Sequence, residues 1–169
     1  IITVEDPVEY RLPGINQVQV HEKIDLSFER VLRSALRQDP DIVLVGEMRD
    51  QMTAEIGMRA SITGHMVLST LHTNDVISTP IRLLDMGVPR YMVALSLQMV
   101  VAQRLVRVIC ENCGEAHTPS PAEHEWLKYE LADKVDAYSY KRGSGCSQCN
   151  GTGYTGRTGV YEVLEMTND

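Results

Sequence analysis

A continuous apolar run of four residues, Ile42–Val45, constrains the fold of this chain more than any other feature. It lies between Asp39-Pro40 and Gly46-Glu47, and an uninterrupted apolar run of this kind is typical of a strand buried on both faces. Further strands are predicted at Ile1–Val4, Asn16–Val20, Met66–Leu71 and Gly159–Leu164. The chain is therefore expected to build a sheet that is covered by other elements.

Helical patterns occur between these strands. Ser27 can cap a helix in which apolar residues recur at helical spacing from Phe28 to Leu36. Further helices are predicted over Thr53–Ile62, from Asn74 or Asp75 to Met86, and over Tyr91–Ile109. The alternation predicts an α/β fold with a parallel or mixed sheet, in which the loops at the carboxyl ends of the strands carry the chemistry.

The cysteines are confined to two CxxC pairs, and the segment 110–150 that they bracket is polar and rich in turns. They are Cys110, Cys113, Cys146 and Cys149. Four thiolates in this arrangement can hold a tetrahedral Zn2+ and leave no open position for water, so His117 and His124 are not needed as ligands. A structural zinc site is therefore predicted. Two disulfides, or a metal-free site with free thiols, are the alternatives.

Composition limits the partners of the chain. It has 169 residues, a hydrophobic content of 43% and a net charge of -7, which suits a packed domain and disfavours coating of nucleic acid by bulk positive charge. The longest apolar stretch, around Tyr91–Ala102, is interrupted by Ser96 and Gln98 and is too short and too polar to span a bilayer. We therefore expect no nucleic acid partner and no direct membrane insertion.

Acidic residues follow two of the predicted strands. Glu47 comes just after the central apolar run, where a carboxylate can hold Mg2+ beside phosphates. An ordinary buried strand can also end in this way. Glu5, Asp6 and Glu9 follow the first strand and could polarise a water for attack on phosphorus, with a solvated turn at Pro7 as the alternative.

Two histidines, His65 and His72, bracket the strand predicted over Met66–Leu71. An imidazole can donate a hydrogen bond to a phosphate oxygen, although a single histidine is more often structural. The pair therefore supports a phosphate site only in combination with the acidic segments.

The combination resembles the secretion ATPase superfamily, in its type II secretion and type IV pilus-assembly branch. ITVEDPVEY is similar to the family's aspartate box, RQDPDIVLVGEMRD to its Walker B region and TGHMVLSTLHTND to its histidine box, in the same order and spacing. INQVQV and AQRLVRVIC resemble further family segments, and EDPVEYRLP and RLLDMG resemble the assembly ATPases of mannose-sensitive haemagglutinin pili. The resemblance covers essentially the whole chain.

This resemblance implies roles by position. Glu9 matches the catalytic glutamate that activates water, Glu47 the Walker B acid that supports Mg2+, and His72 the histidine that faces the γ-phosphate of ATP. Cofactor-binding roles are implied for Glu5, Asp6, His65, Arg33 and Arg37. Arginine suits phosphate because its planar fork binds oxyanions bidentately, but an ion pair on a helix surface is the alternative for both arginines.

The resemblance also implies the domain organisation. Residues 1–109 would form a partial RecA-like sheet with flanking helices, 110–150 a tetracysteine zinc-binding subdomain, and 151–169 a return to the ATPase core. A P-loop of the form G-x-x-x-x-G-K-[ST] lies upstream of the aspartate box in the family. No Gly-Lys pair occurs in this chain, and the near match GTGYTGRT has Arg in place of Lys. We therefore expect a fragment, cut at both ends, that does not hydrolyse ATP by itself.

Intact proteins of this branch are, by the same resemblance, hexameric cytoplasmic ATPases that use ATP and Mg2+. They drive pilus or pseudopilus assembly or type II secretion, and they dock to platform proteins of the inner membrane. The alternative is a non-enzymatic, zinc-stapled interaction module with vestigial acidic segments. A retraction motor of a sister branch is disfavoured, because that branch generally lacks the tetracysteine insert.

Overall fold

A parallel sheet forms the centre of the first part of the chain in the computed structural model, which describes residues 1–167. Its strands are β1 (Ile2–Glu5), β2 (Asn16–Gln19), β3 (Ile42–Val45) and β4 (Met66–Ser69), and they lie in the order β2-β1-β3-β4. Val4 lies beside Val18 on one side and Val45 on the other. The predicted α/β class is thereby confirmed.

Four helices accompany this sheet: α1 (Phe28–Ala35), α2 (Gln51–Ile62), α3 (Ser78–Asp85) and α4 (Arg90–Ser96). Each of the first two begins at a side chain that accepts a hydrogen bond from an otherwise unpaired backbone N–H. Ser27 Oγ accepts from the Arg30 N–H at 3.4 Å, and Asp50 Oδ1 accepts from the Thr53 N–H at 2.8 Å. The predicted cap at Ser27 is confirmed.

Two groups of buried side chains hold these elements together. One joins the sheet to α1 through residues such as Val4, Val43 and Leu32, all of which are fully buried. The other joins α2 to α3 and α4, with Leu83 and Met92 at its centre. Burial of a side chain of this size stabilises the fold by about 1.5–3 kcal/mol, so the sheet depends on helices that lie between its strands in the sequence.

The helix predicted over Tyr91–Ile109 is wrong beyond Ser96. The chain leaves α4 and becomes the strand β5 (Met99–Ile109), which forms a two-stranded sheet with the last strand of the chain, β8 (Tyr154–Glu165). This segment is rich in β-branched valines, which favour extended backbone. Pairing with a strand far away in the sequence therefore outweighs the apolar spacing that suggested a helix.

The described part of the chain divides into two compact units, one made of residues 1–103 and 161–167, and the other of residues 104–160. The second unit contains β6 (Gly114–Ala116) paired antiparallel with β7 (Lys141–Gly143), and α5 (Pro121–Leu131) lies between them in the sequence. A capping box between Ser120 and Glu123 begins α5. Within residues 1–167, every helix is too short or too polar to cross a membrane.

Candidate functional site

The carboxyl edge of the parallel sheet gathers polar side chains from three loops. Asp6 follows β1, Glu47 and Arg49 follow β3, and His72 follows β4. Because β1, β3 and β4 run parallel, their carboxyl ends meet at one edge. The edge is where the sequence predicted the chemistry to lie.

Glu47 is the centre of this cluster. Arg49 Nη2 donates to Glu47 Oε1 at 2.5 Å, and His72 Nε2 lies 3.4 Å from Glu47 Oε2. The hydrogen bond from Arg49 is the main reason that the pKa of Glu47 lies below its ordinary value. The carboxylate is therefore held in its charged form, which is the form that a divalent cation requires.

Arg49 also joins the two acidic segments. Its Nη1 lies 3.3 Å from Asp6 Oδ2, and its guanidinium lies over the ring of Phe28, 5.9 Å from the centroid. Contact with Glu47 raises the pKa of Arg49 further above its usual range. Arg49 is not among the site residues predicted from the sequence, although its place two residues after Glu47 could have drawn attention to it.

Backbone contacts fix the loops at this edge. The Gly46 N–H donates to the Val4 carbonyl at 2.7 Å, and Thr70 Oγ1 donates to the Gly46 carbonyl at 2.7 Å. A Cβ at Gly46 would lie 3.1 Å from the same Val4 oxygen. A side chain larger than hydrogen is therefore disfavoured at the residue that precedes Glu47.

Glu5 and Glu9, the other two acids of this segment, have different surroundings. Glu5 Oε1 accepts from Thr3 Oγ1 at 2.6 Å and from Gln17 Nε2 at 3.0 Å, so that oxygen is already engaged within the sheet. Glu9 lies farther along the loop and is exposed. Asp6 and Glu47 are thus brought together through Arg49, while Glu9 stands in the solvent-facing part of the loop.

His65, Arg33 and Arg37 do not join the Glu47 cluster. His65 comes before β4, at the amino edge of the sheet, and lines a pocket of about 350 Å3 together with Arg33, Arg37 and Arg59. His65 Nδ1 lies 3.1 Å from the Ala60 carbonyl. Arg33 pairs with Glu29 four residues earlier on α1, which is the surface ion pair that the sequence left open.

The four cysteines of the second unit form a compact group. Their sulfurs lie within 4.8 Å of one another, with Sγ···Sγ distances of 3.7 Å for Cys146 and Cys149, 3.8 Å for Cys113 and Cys149, and 3.9 Å for Cys110 and Cys146. Zn–S bonds of about 2.3 Å in a tetrahedron place sulfurs about 3.8 Å apart. The group therefore has the size and the donor set of a closed zinc site.

The thiols of Cys113, Cys146 and Cys149 differ in their pKa values, because they differ in the balance between burial and the hydrogen bonds that they accept. The backbone nitrogens of Cys146 and Gly153 each lie 3.2 Å from Cys149 Sγ and donate to it. The hydrogen bond from the Cys146 N–H is the main cause that lowers the pKa of Cys149 to about 6. Asn112 Nδ2 donates to Cys146 Sγ at 3.3 Å and lowers the pKa of that thiol. Burial instead raises the pKa of Cys113 to about 12. Two of the four thiols are thus already biased toward the thiolate that binds metal.

The histidines near the cysteines are engaged elsewhere. His117 Nε2 lies 3.3 Å from Glu123 Oε2, and His124 Nε2 lies 3.6 Å from Asp136 Oδ1. Neither belongs to the group of sulfurs. This agrees with the expectation that the cysteines alone suffice as ligands.

Comparison with known proteins gives a consistent set of relatives. The family model described as "Type II/IV secretion system protein" matches residues 1–169. Type II secretion system protein E of Pseudomonas aeruginosa is 51% identical over 164 residues, which cover 97% of this chain and 32% of the relative. The type IV pilus assembly ATPase PilB of Myxococcus xanthus is 48% identical over 169 residues, covering 97% of this chain and 29% of the relative.

Solved structures agree with these relatives. The pilus retraction motor PilT with bound ADP has a TM-score of 0.60 and 43% identity, over 66% of this chain and 35% of that chain. The ATPase DotB of Legionella pneumophila has a TM-score of 0.53 and 29% identity, over 63% of this chain and 32% of that chain. The chain spans about a third of the length of the secretion and pilus proteins that it matches.

Proposed function

Because the chain belongs to the family of type II/IV secretion system proteins, we propose that it is the part of a secretion or pilus-assembly ATPase that faces the magnesium ion and the γ-phosphate of ATP. The observation that carries this proposal is the contact of Glu47 with both Arg49 and His72 at the carboxyl edge of the sheet. An acid that can hold Mg2+, flanked by an arginine and an imidazole that can each donate to phosphate oxygens, is suited to metal-assisted phosphoryl transfer.

The proposed roles follow from the chemistry of each side chain. Glu47 supports Mg2+, directly or through water, because its carboxylate is kept charged and only partly exposed. His72, whose side chain is 92% exposed, is free to turn toward a phosphate oxygen. Glu9 activates the attacking water. Asp6 and Glu5 supply negative charge next to the Mg2+ ion. Bound Mg2+ neutralises charge that develops on the phosphates during transfer.

His65, Arg33 and Arg37 are proposed to bind an anion at the other edge of the sheet. They share one pocket with Arg59, so several positive charges face a common space. A phosphate bound by these residues would therefore lie apart from the Glu47 cluster of the same chain.

The second unit is proposed to hold a structural Zn2+ through four thiolates. The sulfur spacing fits a tetrahedral site with no open position. Its role is to stabilise a segment in which Cys110, Val135 and Cys149 are the only buried hydrophobic residues among those described between 104 and 160.

The intact protein is proposed to be a homo-hexamer in the cytoplasm that is held at the inner membrane by platform proteins. It would convert ATP hydrolysis into assembly of a pilus or pseudopilus, or into type II secretion. Since these 169 residues contain no Gly-Lys pair, and hence no P-loop lysine, the chain alone is proposed not to hydrolyse ATP. Robust turnover of Mg-ATP by the purified chain would overturn that last point.

The roles of Glu9 and Glu47 are tested by Glu9→Gln and Glu47→Gln in the intact protein, with Glu22→Gln as a control at an exposed acid outside the cluster. Each of the first two is expected to lower kcat by about 100-fold or more, because proton transfer or metal support is lost. The control should keep normal kcat. If both site variants retain full ATPase activity, the assignments fail. If the intact parent protein itself lacks ATPase activity, the zinc-stapled interaction module is the better description.

A further inference from the structure

Gln17 of β2 contacts the last residue of β1 and two points of the loop that follows it. Its Nε2 donates to the Tyr10 carbonyl at 2.9 Å and to Glu5 Oε1 at 3.0 Å. Its Oε1 accepts from the Leu12 N–H at 2.7 Å. One side chain thus holds the beginning and the end of the segment that carries Glu9.

The amide of Gln17 uses both its donor and its acceptor atoms on the same segment. A primary amide offers two N–H donors and a carbonyl oxygen that accepts, and its three contacts here are all made to residues between Glu5 and Leu12. Glutamate would keep the acceptor and lose both donors, and leucine would lose all three contacts. The arrangement therefore specifies glutamine rather than any polar residue.

Apolar packing does little to hold the part of the loop around Tyr10 and Leu12. Tyr10 is 80% exposed and Leu12 is 51% exposed, so apolar packing contributes little to its conformation. One more side chain of β2 contributes, since Gln19 Oε1 accepts from the Val8 N–H at 3.3 Å. Where packing is absent, local conformation depends on such hydrogen bonds, and their loss lets the backbone open.

Sheet register explains why β2 can act in this way. Thr3 lies beside Gln17, and Glu5 lies beside Gln19. The loop that leaves β1 after Glu5 returns along β2, so side chains of β2 lie under it. Thr3 Oγ1 and Gln17 Nε2 then share Glu5 Oε1 as acceptor, which ties the orientation of Glu5 to the same clamp.

We propose that Gln17 is a positioning residue that fixes the loop carrying Glu9, and the carboxylate of Glu5, for attack on the phosphate. This inference rests on the proposed function, because Glu9 has a role only if the protein hydrolyses ATP. Gln17 itself touches no reacting atom. Its loss should therefore lower kcat and leave the KM for ATP nearly unchanged, since binding depends on other residues.

The ordering of this loop is tested by amide hydrogen exchange at Leu12 in the variants Gln17→Leu and Gln17→Glu. The control is Gln38→Leu, which replaces an exposed glutamine outside the loop. Gln17→Leu is expected to speed exchange at Leu12 by about tenfold or more. Gln17→Glu keeps the acceptor and should leave Leu12 largely protected while it repels Glu5. Unchanged exchange in Gln17→Leu would overturn the clamp, and the kinetics of Gln17→Glu keep the inference testable if the leucine variant does not fold.

Kinetics in the intact protein then separate this inference from the function that it rests on. Gln17→Leu and Gln17→Glu are expected to lower kcat by about tenfold to 100-fold, with KM for ATP within about twofold. If Glu9→Gln is inactive while both Gln17 variants keep normal kcat, positioning by Gln17 is overturned and the role of Glu9 stands. If Glu9→Gln is fully active, the role of Glu9 fails first.

Discussion

The guanidinium of Arg49 lies against the carboxylate of Glu47, with Nη2 2.5 Å from Oε1. The same guanidinium reaches Asp6, so two acidic loops that are far apart in the sequence share one positive charge. Acids proposed to support Mg2+ are thus kept together by an arginine of their own chain.

Arg49→Gln is expected to raise the pKa of Glu47, because the hydrogen bond from Arg49 is the main cause that lowers it. A depressed pKa in the folded state stabilises the fold above the unfolded pKa, and that contribution is lost as the pH falls through the folded pKa. The variant should therefore be less stable than the parent at pH 7, and the two should converge as Glu47 becomes protonated.

Titration of the Glu47 carboxyl by NMR and urea unfolding at two pH values measure both effects. Arg59→Gln is the matched control, since it removes an ion pair with Glu55 on α2 and leaves Glu47 untouched. An unshifted Glu47 titration in Arg49→Gln would contradict the assigned cause.

Removal of zinc from the metal-loaded protein is expected to loosen residues 110–150 before the parallel sheet. The four sulfurs come from two ends of that segment, and few buried side chains are available to replace the metal. Hydrogen exchange before and after chelation, with zinc restored as the control, shows which unit opens. An unchanged melting profile after verified removal of zinc would count against a structural site.

Asn112→Ala is expected to weaken zinc binding by about 10- to 100-fold, because residues that donate to a ligand tune its affinity for the metal. Asn112 Nδ2 is the side-chain donor to Cys146 Sγ. Competition with a chromophoric chelator measures the affinity, and Gln148→Ala changes an exposed amide in the second CxxC pair as a control. Equal affinities for the two variants would exclude this role of Asn112.

Gly143→Ala is expected to destabilise the second unit more than Gly156→Ala. A Cβ at Gly143 would overlap the Gly153 carbonyl oxygen, so the backbone must move. Gly156 has a φ of +72° but nothing within 4 Å of its Cβ position, and the cost there is about 1–2 kcal/mol for a left-handed residue. Thermal unfolding of both metal-loaded variants compares them, and a smaller loss for Gly143→Ala would show that the close approach is relaxed in solution.

Local patterns in the sequence were sufficient for the elements near the Glu47 cluster. The strands β1, β2, β3 and β4 lie within two residues of their predicted positions, and Ser27 caps α1 as expected. Three of these strands, β1, β3 and β4, are short and mostly apolar, and α1 carries a cap. Both signals act between residues close in the sequence. The same reasoning failed over Met99–Ile109, where pairing with β8 decides the conformation.

The sequence by itself determined that an acid follows a buried strand at Glu47 and that four cysteines occur with metal-ligand spacing. Only the tertiary structure decided that Arg49 joins Glu47 to Asp6, that Gln17 holds the loop of Glu9, and that His65 lies with Arg33 and Arg37 at the other edge. The physical reason is that these contacts depend on the strand order β2-β1-β3-β4. Strand order is set by packing between distant residues, which periodicity along the chain does not encode.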